Sequence, residues 1–130
     1  MIAIVGTRGG SFAVDLESDE VEPWEEPPEP PPAVILNLPR LVAAAASGAA
    51  VYAVVDAKPP LLVSHDAGST WRAAGHGLPA GRAVAVSQAN PDDAVFAARN
   101  RLYTTHDGGR FWTALTAELP EIESVALREG

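Results

Sequence analysis

The chain has 130 residues, the length of one ordinary domain. Apolar residues make up 47% of it and charged residues 20%, a balance that supplies a core and excludes a largely disordered chain. Cysteine is absent, which removes disulfides, thiolate catalysis and Cys-ligated metals together, and the net charge of −8 opposes generic nucleic-acid binding, which rests on neutralising phosphates.

Met1 leads straight into the apolar run Ile2-Ala3-Ile4-Val5, with no basic segment or cleavage site, and no run approaches the ~18 apolar residues of a membrane span. A cytoplasmic protein without membrane contact is the expectation. Ile2–Val5 reads as a strand, and Gly6-Thr7-Arg8-Gly9-Gly10-Ser11 as the tight turn after it. This turn is rich in glycine but lacks the Gly-Lys-Ser/Thr of a phosphate loop. Next come Glu17-Ser18-Asp19-Glu20-Val21-Glu22-Pro23-Trp24 and then the acidic, proline-rich Glu25-Glu26-Pro27-Pro28-Glu29-Pro30-Pro31-Pro32, whose composition favours a stiff polyproline II loop on the surface.

From Leu38 onward the chain repeats itself. Ser64-His65-Asp66-Ala67-Gly68-Ser69-Thr70-Trp71 and Thr105-His106-Asp107-Gly108-Gly109-Arg110-Phe111-Trp112 share the pattern S/T-x-D-x-G-x-x-W at a spacing of 41. Asp19 and Trp24 fall at the same mutual spacing and read as a decayed third copy. Leu38-Pro39, Leu78-Pro79 and Leu119-Pro120 recur independently at spacings of 40 and 41. Within each unit four short runs are separated by turn residues. The last complete unit reads Ala83–Val86, the turn Asn90-Pro91-Asp92-Asp93, Ala94–Ala98, the turn Arg99-Asn100-Arg101, Leu102–Thr105, the Asp motif, and Phe111–Leu115. These are strands A to D. Strands A and B are apolar throughout rather than alternately, so both faces of each sheet are buried, as in blades stacked around an axis.

These motifs resemble the Asp-box (BNR, sialidase-type) repeat of sialidases, sortilin-type receptors and photosystem assembly factors, and the resemblance covers essentially the whole chain. It implies an all-β propeller in which the box residues are structural: Asp19 and Trp24; Ser64, Asp66, Gly68 and Trp71; Thr105, Asp107, Gly109 and Trp112. The resemblance places these boxes at C–D turns opposite the ligand face. Locally, an Asp in such a turn accepts backbone N–H groups of its own turn, and Gly68 and Gly109 permit positive φ.

Three periods of 41 leave seven residues of the 130, and Trp24–Leu38 is seven longer than Trp71–Leu78 or Trp112–Leu119. The parsing is therefore blade 1 strands B–D over 1–26, an insertion over 25–37, blade 2 over 38–77, blade 3 over 78–118, and a lone strand A over 119–130. Three blades are too few to close a ring. The expectation is a homodimer, with each C-terminal strand exchanged into the partner's first blade to make six blades.

B–C and D–A loops share one face in this strand order. It carries Arg8, Arg40, Lys58, Arg82, Arg99 and Arg101, six of the nine cations. Counter-charge is expected from Glu25, Glu26, Glu29, Glu118 and Glu121. The functional expectation is a non-catalytic scaffold, free of cofactor and metal, that binds a protein or anionic ligand on this face. The alternative is a sialidase-like glycan hydrolase or lectin. A hydrolase needs an arginine triad and a tyrosine nucleophile, whereas Tyr52 and Tyr103 sit inside strand patterns. His65 and His106 occupy variable box positions in different blades, and His76 stands alone.

Overall fold

The computed structural model describes residues 1–30 and 34–128, and every regular element among them is a β-strand. In chain order these are β1 (Ile2–Thr7), β2 (Gly10–Asp15), β3 (Val21–Trp24), β4 (Leu41–Ser47), β5 (Ala50–Val55) and β6 (Leu61–Ser64). They continue with β7 (Arg72–Ala74), β8 (Ala83–Val86), β9 (Ala94–Ala97), β10 (Leu102–Thr105), β11 (Thr113–Ala114) and β12 (Ile122–Arg128). They form three four-stranded antiparallel sheets: sheet I in the order β12-β1-β2-β3, sheet II as β4-β5-β6-β7, and sheet III as β8-β9-β10-β11.

The uninterrupted apolar runs have a direct structural reason. Successive side chains of a strand point to opposite faces, and sheet III has a core on each. Ala83, Ala85, Val95 and Ala97 pack toward sheet I, against Ala3, Val5, Val14 and Ile122. Val84, Val86, Ala94 and Phe96 pack toward sheet II, against Tyr52, Val54, Leu61 and Val63. Sheet III is thus the middle layer, and β8 lies between β4 and β12. The packing there is close. A Cβ on Gly81 would fall 2.6 Å from Phe96 Cζ and 2.7 Å from Val54 Cγ1, so glycine is required in the approach to β8, two residues before it begins.

The lone C-terminal strand does complete the first sheet, but within its own chain. β12 pairs with β1 from Ile2↔Arg128 to Thr7↔Ile122, with a register shift at Gly6/Thr7. The expected exchange into a partner is therefore corrected. Its physical cause is the connection from β11. Leu119 N–H donates to Asn100 O at 2.9 Å and Ile122 N–H donates to Arg99 O at 2.7 Å, which holds the start of β12 against sheet III. From there the strand reaches its own β1, and Arg8 N–H closes the seam on Glu121 O at 2.9 Å.

The proline-rich connection runs from sheet I to sheet II; its Pro31 and Pro32 lie outside the described residues. Pro28 packs over sheet I, where a Cβ on Gly6 would meet Pro28 Cδ at 3.1 Å. Val34 and Ile35 line a hollow with the alanine-rich inner strands at Ala45, Ala46 and Ala85.

Removing residues 121–130 strips all of β12 and takes Ile122 (0% exposed) and Val125 (4%) out of the core between sheets I and III. Burial of the two side chains alone is worth about 3–6 kcal/mol, a large share of a small domain's stability. The truncated chain is expected to be insoluble or to lack a cooperative melt. A soluble truncation melting at the full-length temperature would contradict the cis pairing.

Candidate functional site

The Asp motifs of sheets II and III are built as closed local networks. Ser64 hydroxyl donates to Asp66 Oδ1 at 2.7 Å and accepts Gly68 N–H at 2.8 Å. Asp66 in turn accepts Thr70 N–H at 2.8 Å and the Thr70 hydroxyl at 2.5 Å. In sheet III, Thr105 hydroxyl donates to Asp107 at 2.8 Å and accepts Gly109 N–H at 3.0 Å, while Asp107 accepts the N–H groups of Arg110 and Phe111. Gly68 and Gly109 have φ of 90° and 91°, the left-handed region that favours glycine. Trp112 Nε1–H donates to Gly109 O at 2.9 Å, and its ring meets Phe96 edge-on. The carboxylates are occupied by their own turns. Both turns also bond to neighbouring A–B hairpins, through Ala67 N–H to Ala49 O and Gly108 N–H to Asp92 O, which sets them on the loop face opposite Arg8 and Glu121.

The first copy departs from the expected register. Strand pairing sets Val14 opposite Val21 as it sets Val63 opposite Arg72 and Thr104 opposite Thr113. Asp15 therefore stands where Ser64 and Thr105 stand, and the turn is two residues shorter than the other two. Asp15 does the work of those hydroxyls, accepting Glu17 N–H at 2.9 Å and Ser18 N–H at 3.2 Å. Asp19, with φ of 65°, reaches out of its turn to accept Thr116 N–H at 2.7 Å, the Thr116 hydroxyl and Ala117 N–H at 3.3 Å. It is a tether between sheets I and III rather than a decayed cap. Trp24 ends β3 instead of preceding it, and its ring lies 5.1 Å from the Arg128 guanidinium. The signal available in the sequence was a hydrogen-bonding residue ending strand C, present as Asp15.

The B–C and D–A loops do share a face, and it gathers most of the expected cations. Glu121, 19% exposed, receives Arg8 Nε at 2.6 Å, Arg99 Nε at 3.3 Å and an Arg82 Nη at 3.8 Å. Arg101 meets Glu118 at 2.9 Å. Three sequence-distant arginines thus converge on one carboxylate at the seam of sheets I and III. Arg40 and Lys58, in the corresponding loops of sheet II, are not part of this cluster. Of the expected counter-charges, Glu118 and Glu121 are used, whereas Glu25 and Glu26 line a hollow with Trp24 and Arg128.

Tyr52 is fully buried and donates to Pro91 O at 2.7 Å; burial first, then the Asp92 charge, pushes its pKa up to about 12. That is the wrong direction for a nucleophile. His106 Nδ1 lies 2.9 Å from Asp93 Oδ1, and the His65 ring lies beside Gly108. Among the described residues no group of three or more His, Asp or Glu side chains is placed to hold a metal ion.

A scan against protein-family models and a search of curated proteins return no match for this chain.

The turn carboxylates define an acid response. Asp66 is lowered to about 2, chiefly by the Thr70 hydroxyl and amide. Asp107 is lowered chiefly by Phe111 N–H, Asp19 by the Thr116 hydroxyl and Asp15 by Glu17 N–H. Because each folded-state value lies below the unfolded one, the unfolded chain takes up more protons in acid. The stability these groups supply is present above about pH 4 and is lost as pH falls toward 2. Melting temperature is expected to drop across that window, and Asp66→Asn to flatten the drop. Asp19→Ala is expected to lower the neutral melting temperature as Asp66→Ala does, and to speed amide exchange at Thr116 and Ala117. Unchanged exchange at those two amides would contradict the tether.

Proposed function

We propose that the chain is a non-catalytic binding module: half of a six-bladed propeller of the Asp-box type, completed by a second copy. It takes an anionic ligand, or the acidic patch of a protein, on the loop face around Glu121. The observation that carries this reading is the convergence of Arg8, Arg82 and Arg99 on Glu121, with Arg101 on Glu118 beside them. Four guanidinium groups there face two carboxylates, on a chain whose net charge is −8. Arg8 and Arg99 are more than two-thirds exposed, 72% and 76%. The exposed guanidinium edges of Arg8 and Arg99 are open to an incoming carboxylate or phosphate beside the largely buried Glu121. Guanidinium groups suit such planar or tetrahedral anions.

Pairing with a second copy is supported by where apolar surface remains. Sheet III is covered on both faces, whereas sheets I and II each turn one face away from it. Val21 on sheet I, Val42 on sheet II and Ile35 on the connection between them remain exposed. Two chains related by a two-fold axis set sheet I of each against sheet II of the other, a closed arrangement. Light scattering is expected to report about 27 kDa, twice the chain mass of 13.5 kDa; a monomer at micromolar concentration would contradict it.

A glycan-binding variant of the same reading is favoured by the arginine trio, since sialic acid carries a carboxylate that could replace that of Glu121. Hydrolysis is not favoured, because Tyr52 is buried and bonded to Pro91. Calorimetry with phosphate and with sialic acid tests both. Binding is expected at about 50 mM salt and to weaken strongly by about 500 mM, where the Debye length falls well below 10 Å. Arg8→Glu with Arg99→Glu is expected to abolish it. Binding that survives both the salt and the double reversal would overturn this face as the ligand site.

A further inference from the structure

A second feature shares no residue with the Glu121 cluster. Between the edge strand β7 of sheet II and the turn that opens β11 runs a groove of about 500 Å³, lined among others by Arg72, His76, Tyr103, Arg110, Phe111 and Trp112. The Tyr103 and Trp112 rings are fixed from beneath, both meeting the buried Phe96 edge-on at 6.0 and 6.1 Å. Phe111 is 79% exposed. At the equivalent place in the sheet II turn stands Thr70, whose hydroxyl caps Asp66. Phe111 forgoes that hydroxyl bond and leaves most of a large aromatic ring in water. Ser69 is likewise replaced by Arg110.

The charge is as distinctive as the rings. Neither Arg72 nor Arg110 pairs with a carboxylate among the described residues, and none of the groove's lining residues is Asp or Glu. Arg72 donates to Gly108 O at 3.1 Å, which orients its guanidinium along the groove wall. β7 is three residues long, and Gly75 and Gly77, at φ of 75° and 84°, end it. A long added strand therefore has little ladder to pair with. Fixed aromatic rings flanked by cations are instead the surface on which a preformed polyproline II segment docks. We infer that this groove is a docking site for an acidic, proline-rich segment of a partner protein, its prolines on Tyr103, Phe111 and Trp112 and its carboxylates on Arg72 and Arg110. The chain's own Glu25–Pro32 has this composition, but Pro28 is engaged on sheet I, so the occupant is a partner's segment.

The probe is a fluorescent peptide of sequence Glu-Glu-Pro-Pro-Glu-Pro-Pro-Pro, titrated with the full chain and followed by anisotropy. Saturable binding is expected, weakened at least about tenfold by Phe111→Ala, the loss that truncating an anchoring aromatic produces. Arg72→Ala with Arg110→Ala is expected to do the same, and the peptide with Lys for every Glu is expected not to bind. Arg8→Glu with Arg99→Glu, which removes the proposed ligand face, is expected to leave this binding unchanged. Phe111 is exposed, so an unchanged melting temperature for Phe111→Ala separates lost binding from lost folding. No binding up to about 1 mM, or binding indifferent to Phe111→Ala, would overturn the inference. So would self-association that Phe111→Ala abolishes, since the groove would then be an interface between copies.

Discussion

The rest of the structure depends on β12 lying along β1. That one antiparallel pairing joins the two ends of the sequence, fixes the spatial order of the sheets as II, III, I, and buries Ile122 and Val125 in the core between sheets III and I. The same pairing places Glu121 at the mouth of the seam. Its backbone carbonyl accepts Arg8 N–H while its side chain draws three arginines together. On the same seam, Asp19 bonds to Thr116 and Ala117. Sheet I thus joins sheet III through a strand, a core and two carboxylates.

The two loop faces use their charges differently. On one, both oxygens of Asp66 and Oδ1 of Asp107 accept backbone and hydroxyl groups of their own turns, which favours the ionised carboxylates. On the other, the residues preceding the three inner strands β4, β8 and β12 are Arg40, Arg82 and Glu121. A glutamate at the third position turns a repeat of like charges into a hub. The repeat thus changes sign of charge where loops of sheets I and III meet.

Much of this was legible in the sequence. The C-terminal strand reads as completing a first sheet, though of a partner and not, as found, of its own chain. The 41-residue period is carried by the Asp and Leu-Pro motifs, and the four strands per unit by apolar runs and turn residues. Sheet III shows why: each residue of Ala83–Val86 is buried, alternately in one core and the other. The first turn was misread because Asp19 and Trp24 preserve the spacing of the motif by coincidence, while the pairing of Val14 with Val21 sets another register. Spacing is one-dimensional, and register is fixed by cross-strand bonds. Whether β12 closes in cis or in a partner was equally beyond the sequence, since both satisfy the same strand. The meeting of Arg8, Arg82 and Arg99 on Glu121 was visible only as a shared face, because side-chain reach across a seam has no periodic signature.

Under the proposed function, the guanidinium cluster around Glu121 is an anion-recognition site rather than a self-satisfied ion-pair network. Nitrogen NMR of the arginine Nε–H groups during titration with phosphate, at low salt and neutral pH, tests it most directly. Saturable shifts are expected at Arg8, Arg82 and Arg99, with Arg128 unmoved. Shifts absent from those three, or larger at the amides of the Asp66 and Asp107 turns, would contradict it.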